Sequence, residues 1–245
     1  MCKPEGVADD VDLESVRRAY RQEGSYLKSV SRRTRKILEA TIDHPRFAGA
    51  TDPAALELIG AFLSTMRPQR VLQLGTYIGF SAVFIADVIA HGDPPGQLVT
   101  VEPDESANDI ARGLARKAEL ENITFVSGYS TEERTIAELK RLGPFDFVYL
   151  DSSHAYGETL RELDIIFDSR QPLLSREGLL VLHDAAESAA EFDPTGKGGV
   201  RRALEEWSSG RGERFVVLEQ PLFPSICGVG LMVHGSTAQP TEAGA

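Results

Sequence analysis

The chain has 245 residues, with 26 Lys and Arg against 37 Asp and Glu, and a formal charge of −11. That balance excludes broad nucleic-acid or anionic-membrane binding, which needs a basic footprint, and 42% hydrophobic residues exclude disorder throughout. No apolar run approaches the ~20 residues that span a bilayer, the opening MCKPEGVADDVD does not read as a secretory signal, and Cys2 and Cys227 are too few for a disulfide framework or a Cys-based zinc site, so a reduced, cytoplasmic protein is expected.

Residues 1–12 and the tail 235–245 are small, polar and unpatterned, and are expected to fray. From Val11 to about Ile42 the sequence reads as one or two helices. Their Arg17, Arg18, Arg21, Lys28, Arg32, Arg33, Arg35 and Lys36 read as a solvated face. The sharper reading of residues 1–50 is a helical extension serving as a lid or dimer arm, with a homodimer as the expected assembly. Asp52-Pro53 opens a helix, with proline at the first helical position, and Leu56, Leu58, Ile59, Phe62 and Leu63 form its packed face.

Strand and helix then alternate. Short apolar strands are expected at Arg70–Leu74, Leu98–Glu102, Ile123–Val126, Phe145–Leu150 and Leu179–His183. Helical patterns lie between them at Ser81–Ala90, Asp104–Leu120, Thr131–Leu142 and Gly157–Leu174. Such continuously apolar strands suit a parallel sheet covered on both faces. The alternation predicts a Rossmann-like, doubly wound α/β sheet of seven strands in one domain, residues 51–234. Val200–Trp207 reads as a further helix. Arg214–Glu219 and Ile226–Val233 read as a closing antiparallel pair.

In open α/β sheets the ligand lies beyond the carboxyl ends of the strands, at the point where the strand order reverses. The first such end reads Gln73-Leu74-Gly75-Thr76-Tyr77-Ile78-Gly79-Phe80-Ser81. Gly75 lets the chain turn without a Cβ in the way, and free N–H groups near Gly79 and Ser81 would favour a carboxylate or phosphate. The spacing is Gly-x-x-x-Gly, not the dinucleotide Gly-x-Gly-x-x-Gly. The second end is Val101-Glu102-Pro103-Asp104. A carboxylate there can accept both ribose hydroxyls of a nucleoside, and Asp104 can cap the next helix.

At the third end, Gly128, Tyr129 and Ser130 form a loop able to hold an adenine ring, and Ser130 is also placed to cap a helix, with Glu133 three residues on. The fourth and fifth ends are Asp151-Ser152-Ser153-His154 and His183-Asp184-Ala185. Asp151 and Asp184 close neighbouring strands, so their carboxylates should face one cleft, where two acids can hold a hard cation such as Mg²⁺. His154 and His183 bring titratable imidazoles to the same rim. The segment Glu191–Gly199, EFDPTGKGG, reads equally as a flexible substrate loop or a plain connection.

The segments VLQLGTYIGFSAV, LVTVEPD, FDFVYLDSSHAYGETLRELD and GLLVLHDA together resemble the class I S-adenosylmethionine-dependent methyltransferases. Within them they are most similar to small-molecule O-methyltransferases of the catechol and caffeoyl-CoA kind, in the bacterial branch with Asp-x-x-His and His-Asp strand ends. The likeness covers roughly residues 55–234. It implies that Gly75, with Thr76, Tyr77, Gly79 and Ser81, holds the methionine part of S-adenosylmethionine. It places Glu102 and Pro103 at the ribose, Gly128, Tyr129 and Ser130 by the adenine, and Asp151 beside the cofactor.

In the catechol-type enzymes the base is a lysine three residues past the fourth-strand Asp, where this chain has His154. The family binds Mg²⁺ with that Asp and a following Asp-Asn pair. Here Asp151 and Asp184 are the matching acids, but Ala185 stands in place of the Asn. Another departure is Gln73, where the family usually has an acid.

The expected reaction is methyl transfer to a hydroxyl of a small molecule, such as a secondary metabolite. His154 would act as base, Asp151 beside it, with or without Mg²⁺ on Asp151 and Asp184. An N-methyltransferase acting on a small amine stays open on the sequence alone. So does an NAD-dependent oxidoreductase, although the dinucleotide fingerprint and a Tyr-x-x-x-Lys pair are both missing.

Overall fold

Residues 13–47 and 50–234 are described by the computed structural model of the chain. Both ends expected to fray, and Val11 at the start of the first expected helix, lie outside the described residues. Seven strands, β1 Arg70–Leu74, β2 Gln97–Glu102, β3 Ile123–Ser127, β4 Phe145–Leu150, β5 Leu174–His183, β6 Phe215–Leu218 and β7 Val229–Val233, form one sheet. Its order is β3-β2-β1-β4-β5-β7-β6. The first five strands run parallel, and β7 lies antiparallel between β5 and β6. The mostly parallel sheet and its closing antiparallel pair are as the sequence predicts.

Alternation along the buried strands splits the core into two layers, because successive side chains leave opposite faces of a sheet. Val71, Leu98, Phe147, Tyr149 and Val181 belong to one cluster, with Leu56, Ile59 and Leu63 of α3 (Pro53–Met66) and Val83 and Phe84 of α4 (Phe80–Ala90). Leu72, Val99, Val148, Leu150, Leu180 and Leu182 belong to the other. With them are Leu163 and Ile166 of α7 (Tyr156–Ile166) and Leu204 and Trp207 of α8 (Gly199–Arg211). Helices α5 (Glu105–Ala118) and α6 (Glu133–Leu142) complete the set after α1 (Leu13–Gln22) and α2 (Arg32–Thr41).

The N-terminal helices share the first layer. Tyr20 meets Phe47 edge-on at 4.7 Å, and Phe47 meets Phe80 at 5.2 Å. Asp87 of α4 is buried, and it accepts from Ser31 N, Ser31 Oγ and Thr34 Oγ1 at 2.6–2.7 Å. An anion at the first turn of α2 suits the exposed N–H groups and dipole there. The basic stretch is used locally. Arg17 reaches the Ile42 carbonyl, Arg21 pairs with Asp43, Arg33 with Glu119, and Arg35 reaches the Leu27 carbonyl.

Three local expectations are corrected. Helix α7 ends at Ile166 instead of continuing to Leu174. Asp168 accepts from the N–H groups of Arg170 and Gln171, and Pro172 has no N–H to continue a helix. Strand β5 begins at Leu174, five residues early, with an irregular register where Phe145 pairs Leu174 but Phe147 pairs Leu179. Helix α6 begins at Glu133, so Ser130 does not cap it; its hydroxyl is drawn instead to the buried carboxyl of Glu162.

Candidate active site

The strand order reverses between β1 and β4, and the residues expected to carry chemistry gather beyond that point. Gly75 leaves β1 with φ +93°, and a Cβ there would lie 1.9 Å from the Asp151 carbonyl oxygen. Only glycine lets the two strand ends approach so closely. Thr76 is buried and its Oγ1 lies 2.6 Å from Thr100 Oγ1. Gly79 caps α4 with φ +86° against Ala111. Gln73 binds the turn together: its Nε2 donates to the Gly75 carbonyl and to Ser81 Oγ, both at 2.8 Å. Its Oε1 is buried and finds no hydrogen-bond partner among the described residues.

Glu102 ends β2 and is buried. Its Oε2 accepts from Tyr77 N at 2.7 Å and its Oε1 from Asp104 N at 3.1 Å. The first and second strand ends are thereby tied through one carboxylate. Tyr77 takes a left-handed φ of 48°, and the Arg46 guanidinium covers its ring at 5.3 Å. Pro103 leads into Asp104, which caps α5 as expected and pairs with Arg46 at 2.7 Å. Gly128 N donates to the Glu102 carbonyl, bringing the third end alongside, and Tyr129 leaves 62% of its surface exposed. Glu162 of α7 joins the third and fourth ends by accepting from Ser130 and Ser152 hydroxyls. Burial raises its pKa, which those two hydrogen bonds only partly oppose.

Asp151, His154, His183 and Asp184 meet in one cluster. His154 Nδ1 lies 2.6 Å from Asp184 Oδ2, and His183 Nδ1 lies 3.1 Å from the same oxygen and 3.3 Å from Asp151 Oδ1. Asp151 Oδ2 accepts from Thr51 and Tyr149 hydroxyls at 2.8 and 2.9 Å. His183 Nε2 lies 2.9 Å from Asp52 Oδ2, which also accepts from Ser225 Oγ. His154 and Asp184 both hold left-handed backbone, φ 57° and 56°, a strain that persists only where surroundings over-determine it.

Charge explains the titration of the cluster. Burial alone would raise Asp184, but the imidazoles of His183 and His154 hold it well below the usual carboxylate range. Burial would lower His154, but the Asp184 carboxylate outweighs it and moves the imidazole up. His183 is likewise driven up, against burial, chiefly by Asp184, Tyr149 and Asp151. Burial pushes the Tyr149 hydroxyl well up, leaving it a neutral donor, and pushes the Cys227 thiol up as well.

The residues sequence reading missed are Thr51, Asp52, Tyr149, Glu162 and Ser225. Tyr149 was readable, since it lies two residues before Asp151 on the same strand face. The others had no local signal. Glu191–Gly199 is a built turn: Asp193 accepts from the N–H groups of Thr195, Lys197 and Gly199.

Residues 72–185 match the family described as Methyltransferase domain (Methyltransf_24). The matched stretch takes in all five strand ends, from Gly75 to Asp184, in the sheet described above. The curated relatives that the chain is similar to include proteins named as O-methyltransferases. It is 26% identical over 140 residues to the caffeoyl-CoA O-methyltransferase of Stellaria longipes, covering 54% of this chain and 57% of that one. It is 30% identical over 128 residues to the rhamnosyl O-methyltransferase of Mycobacterium tuberculosis, covering 50% and 48%. The chain thus spans about half the length of these curated relatives. In fold it is similar to the O-methyltransferase from Bacillus cereus solved in complex with SAH. The TM-score is 0.70 at 17% identity, covering 91% of this chain and 99% of that one. Among the described residues no helix is long and apolar enough to cross a membrane.

One observation of the site fits S-adenosylmethionine: beside the Gly75 turn, Gln73 Oε1 is a buried acceptor with no hydrogen-bond partner among the described residues. For Mg²⁺ the fit is poor. Donor atoms of Asp151, His154 and Asp184 converge within 4.8 Å of one another, but one of the three is an imidazole nitrogen. Ala185 supplies no third oxygen, and the converging carboxylate oxygens already face N–H or O–H groups. Mg²⁺ prefers an octahedron of oxygens.

Proposed function

We propose that this protein transfers the methyl group of S-adenosylmethionine to a hydroxyl of a small-molecule acceptor, with His154 as the base. The carrying observation is the His154–Asp184 contact of 2.6 Å at the strand end beside Asp151. An ionised carboxylate can only accept, so His154 presents Nδ1–H to Asp184 and leaves Nε2 to take a proton. His154 is only partly buried, which gives an acceptor access to it. When bound, S-adenosylmethionine supplies an electrophilic methyl group on its sulfonium. Gly75 and its loop receive the methionine end, Glu102 the ribose, and the Gly128–Ser130 loop the adenine. Holding both reactants in line is where much of the rate comes from. Asp151 is fixed by Thr51, Tyr149 and His183, so its carboxylate forms a rigid wall between cofactor and acceptor sides.

Names of the relatives support this reading over a nicotinamide enzyme, since each is an O-methyltransferase. Caffeoyl-CoA and rhamnosyl acceptors in those names support a phenolic or sugar hydroxyl. Thr51 and Asp52, which lie in the cluster, support reading the N-terminal segment as the cover of the acceptor side. The test is release of S-adenosylhomocysteine from S-adenosylmethionine over a panel of phenols and glycosides, with calorimetry of S-adenosylhomocysteine alongside. His154→Ala is expected to cut turnover on the order of 10²–10⁴-fold and to leave product affinity nearly unchanged. Full turnover in that variant would remove His154 as base, and no uptake of S-adenosylhomocysteine would end the whole reading.

A further inference from the structure

The cluster does not stop at the strand ends. It continues into the segment before the sheet, through a residue whose sequence signal was only that of a helix start. Asp52 carries two pairs of contacts, one pair on each carboxylate oxygen. Oδ1 accepts from Ala54 N and Ala55 N at 3.1 Å and caps α3. Oδ2 lies 2.9 Å from His183 Nε2 and accepts from Ser225 Oγ at 3.0 Å. Capping needs one oxygen and any Ser, Thr, Asn or Asp could supply it. The second oxygen is therefore left over for His183.

From Asp52 an unbroken line of contacts reaches the partly exposed imidazole at the rim: Asp52 Oδ2 to His183 Nε2, His183 Nδ1 to Asp184 Oδ2, and Asp184 Oδ2 to His154 Nδ1. His183 is 6% exposed and has acidic oxygens at both ring nitrogens, so its ring cannot turn without giving up a partner. Other groups constrain the same line. Tyr149 lies edge-on to the His183 ring at 6.5 Å, Asp151 Oδ1 is the second acceptor at Nδ1, and Cys227 Sγ falls within 4.8 Å of Asp52 and His183 donor atoms. Ser225 fixes Asp52 from the loop between β6 and β7 and also receives the N–H groups of Cys227 and Gly228. The chain thus brings together residues 131 apart to fix one ring.

We infer that Asp52 is a positioning residue: through His183 and Asp184 it sets the orientation of the His154 ring. This rests on the reading of His154 as base and extends it. The helix start and the rim of the site are then one unit, and the N-terminal segment is part of the machinery. Without the Asp52 carboxylate at Nε2 the His183 ring is free to turn. Its hydrogen bond to Asp184 then loosens, and His154 samples other tautomers and rotamers.

The two duties of Asp52 can be separated by substitution. Asp52→Ser and Asp52→Asn both keep a good cap. Serine is too short to cap and reach His183 together. Asparagine with its oxygen at the cap turns an N–H₂ group toward Nε2. The protein labelled with ¹⁵N at histidine and saturated with S-adenosylhomocysteine gives the ring-nitrogen signals of His154 and His183 by NMR. His154→Ala and His183→Gln supply the assignments. In the unsubstituted protein His154 should show one tautomer, with the proton on Nδ1. Both Asp52 variants should shift the His183 Nε2 signal, and Asp52→Ser should also shift or broaden the His154 signals. A helix cap alone would not move the His154 ring. Unchanged His154 signals in folded Asp52→Ser overturn the inference, and should serine fail to fold, an unchanged His183 Nε2 signal in Asp52→Asn does the same. Moved signals, with full turnover retained by His154→Ala, would uphold the coupling and remove only the assignment of the base.

Discussion

Gly75→Ala is the substitution whose cost can be worked most directly from the geometry. A Cβ at Gly75 would stand 1.9 Å from the Asp151 carbonyl oxygen, 2.6 Å from its carbonyl carbon and 3.0 Å from Ser152 Cα. All three are backbone atoms, so no side chain can swing away. The ends of β1 and β4 must part by at least about 1 Å in a core that is packed like a crystal. Left-handed backbone at φ +93° adds about 1–2 kcal/mol for a residue with a Cβ, and overpacking typically costs about 1–3 kcal/mol. For a chain of this size the combined loss lowers the melting temperature by roughly 5–15 °C. The parting of β1 from Asp151 should also weaken S-adenosylhomocysteine by more than about tenfold, since a misplacement near 1 Å can cost 10² in a positioned site. Gly113→Ala is the control. Nothing lies within 4 Å of a Cβ at that position in α5, and stability should rise by about 0.5–1 kcal/mol. Scanning calorimetry and titration of S-adenosylhomocysteine read both effects. Wild-type melting and affinity in Gly75→Ala would refute the close-approach argument.

Turnover should rise with pH through a midpoint above the ordinary histidine value of 6.5, because the base must be unprotonated and Asp184 outweighs burial to raise it. The sign for stability is opposite: a raised histidine contributes fully below its unfolded pKa, and that contribution is lost as pH rises through the folded value. In Asp184→Asn burial remains and the carboxylate does not, so the midpoint should fall; a pH–rate profile with an unmoved midpoint would contradict the pairing. Chelation should matter little, since imidazole and hydroxyl groups already satisfy the converging carboxylate oxygens of Asp151 and Asp184. Turnover after exhaustive EDTA treatment is expected to fall by less than about threefold, whereas a large loss restored by Mg²⁺ would assign the two acids to a metal.

Much of the site was legible along the chain because its parts are local. A glycine turn, an acid after the second strand, and Asp-His pairs after the fourth and fifth are each short segments. The rule that parallel strands present their carboxyl ends together brings them to one edge. The same logic located Asp104 as a cap and the closing antiparallel pair. It failed where a side chain answered to a distant partner. Ser130 has the spacing of a helix cap, yet the buried Glu162 takes its hydroxyl. By sequence Leu173 and Leu174 read as part of the helix that runs past Ile166, yet Asp168 and Pro172 turn the chain and β5 begins early.

The amino-acid order by itself determined which elements form, how the sheet is layered and which strand ends are polar, because hydrophobic period and turn chemistry act within a few residues. Only the folded chain decided the partnerships: Asp52 with His183, Thr51 with Asp151, Ser225 with Asp52, and His154 with Asp184. Hydrogen bonds and charge pairs form between atoms a few ångströms apart, and sequence separations of 30 to 173 residues carry no local trace of them.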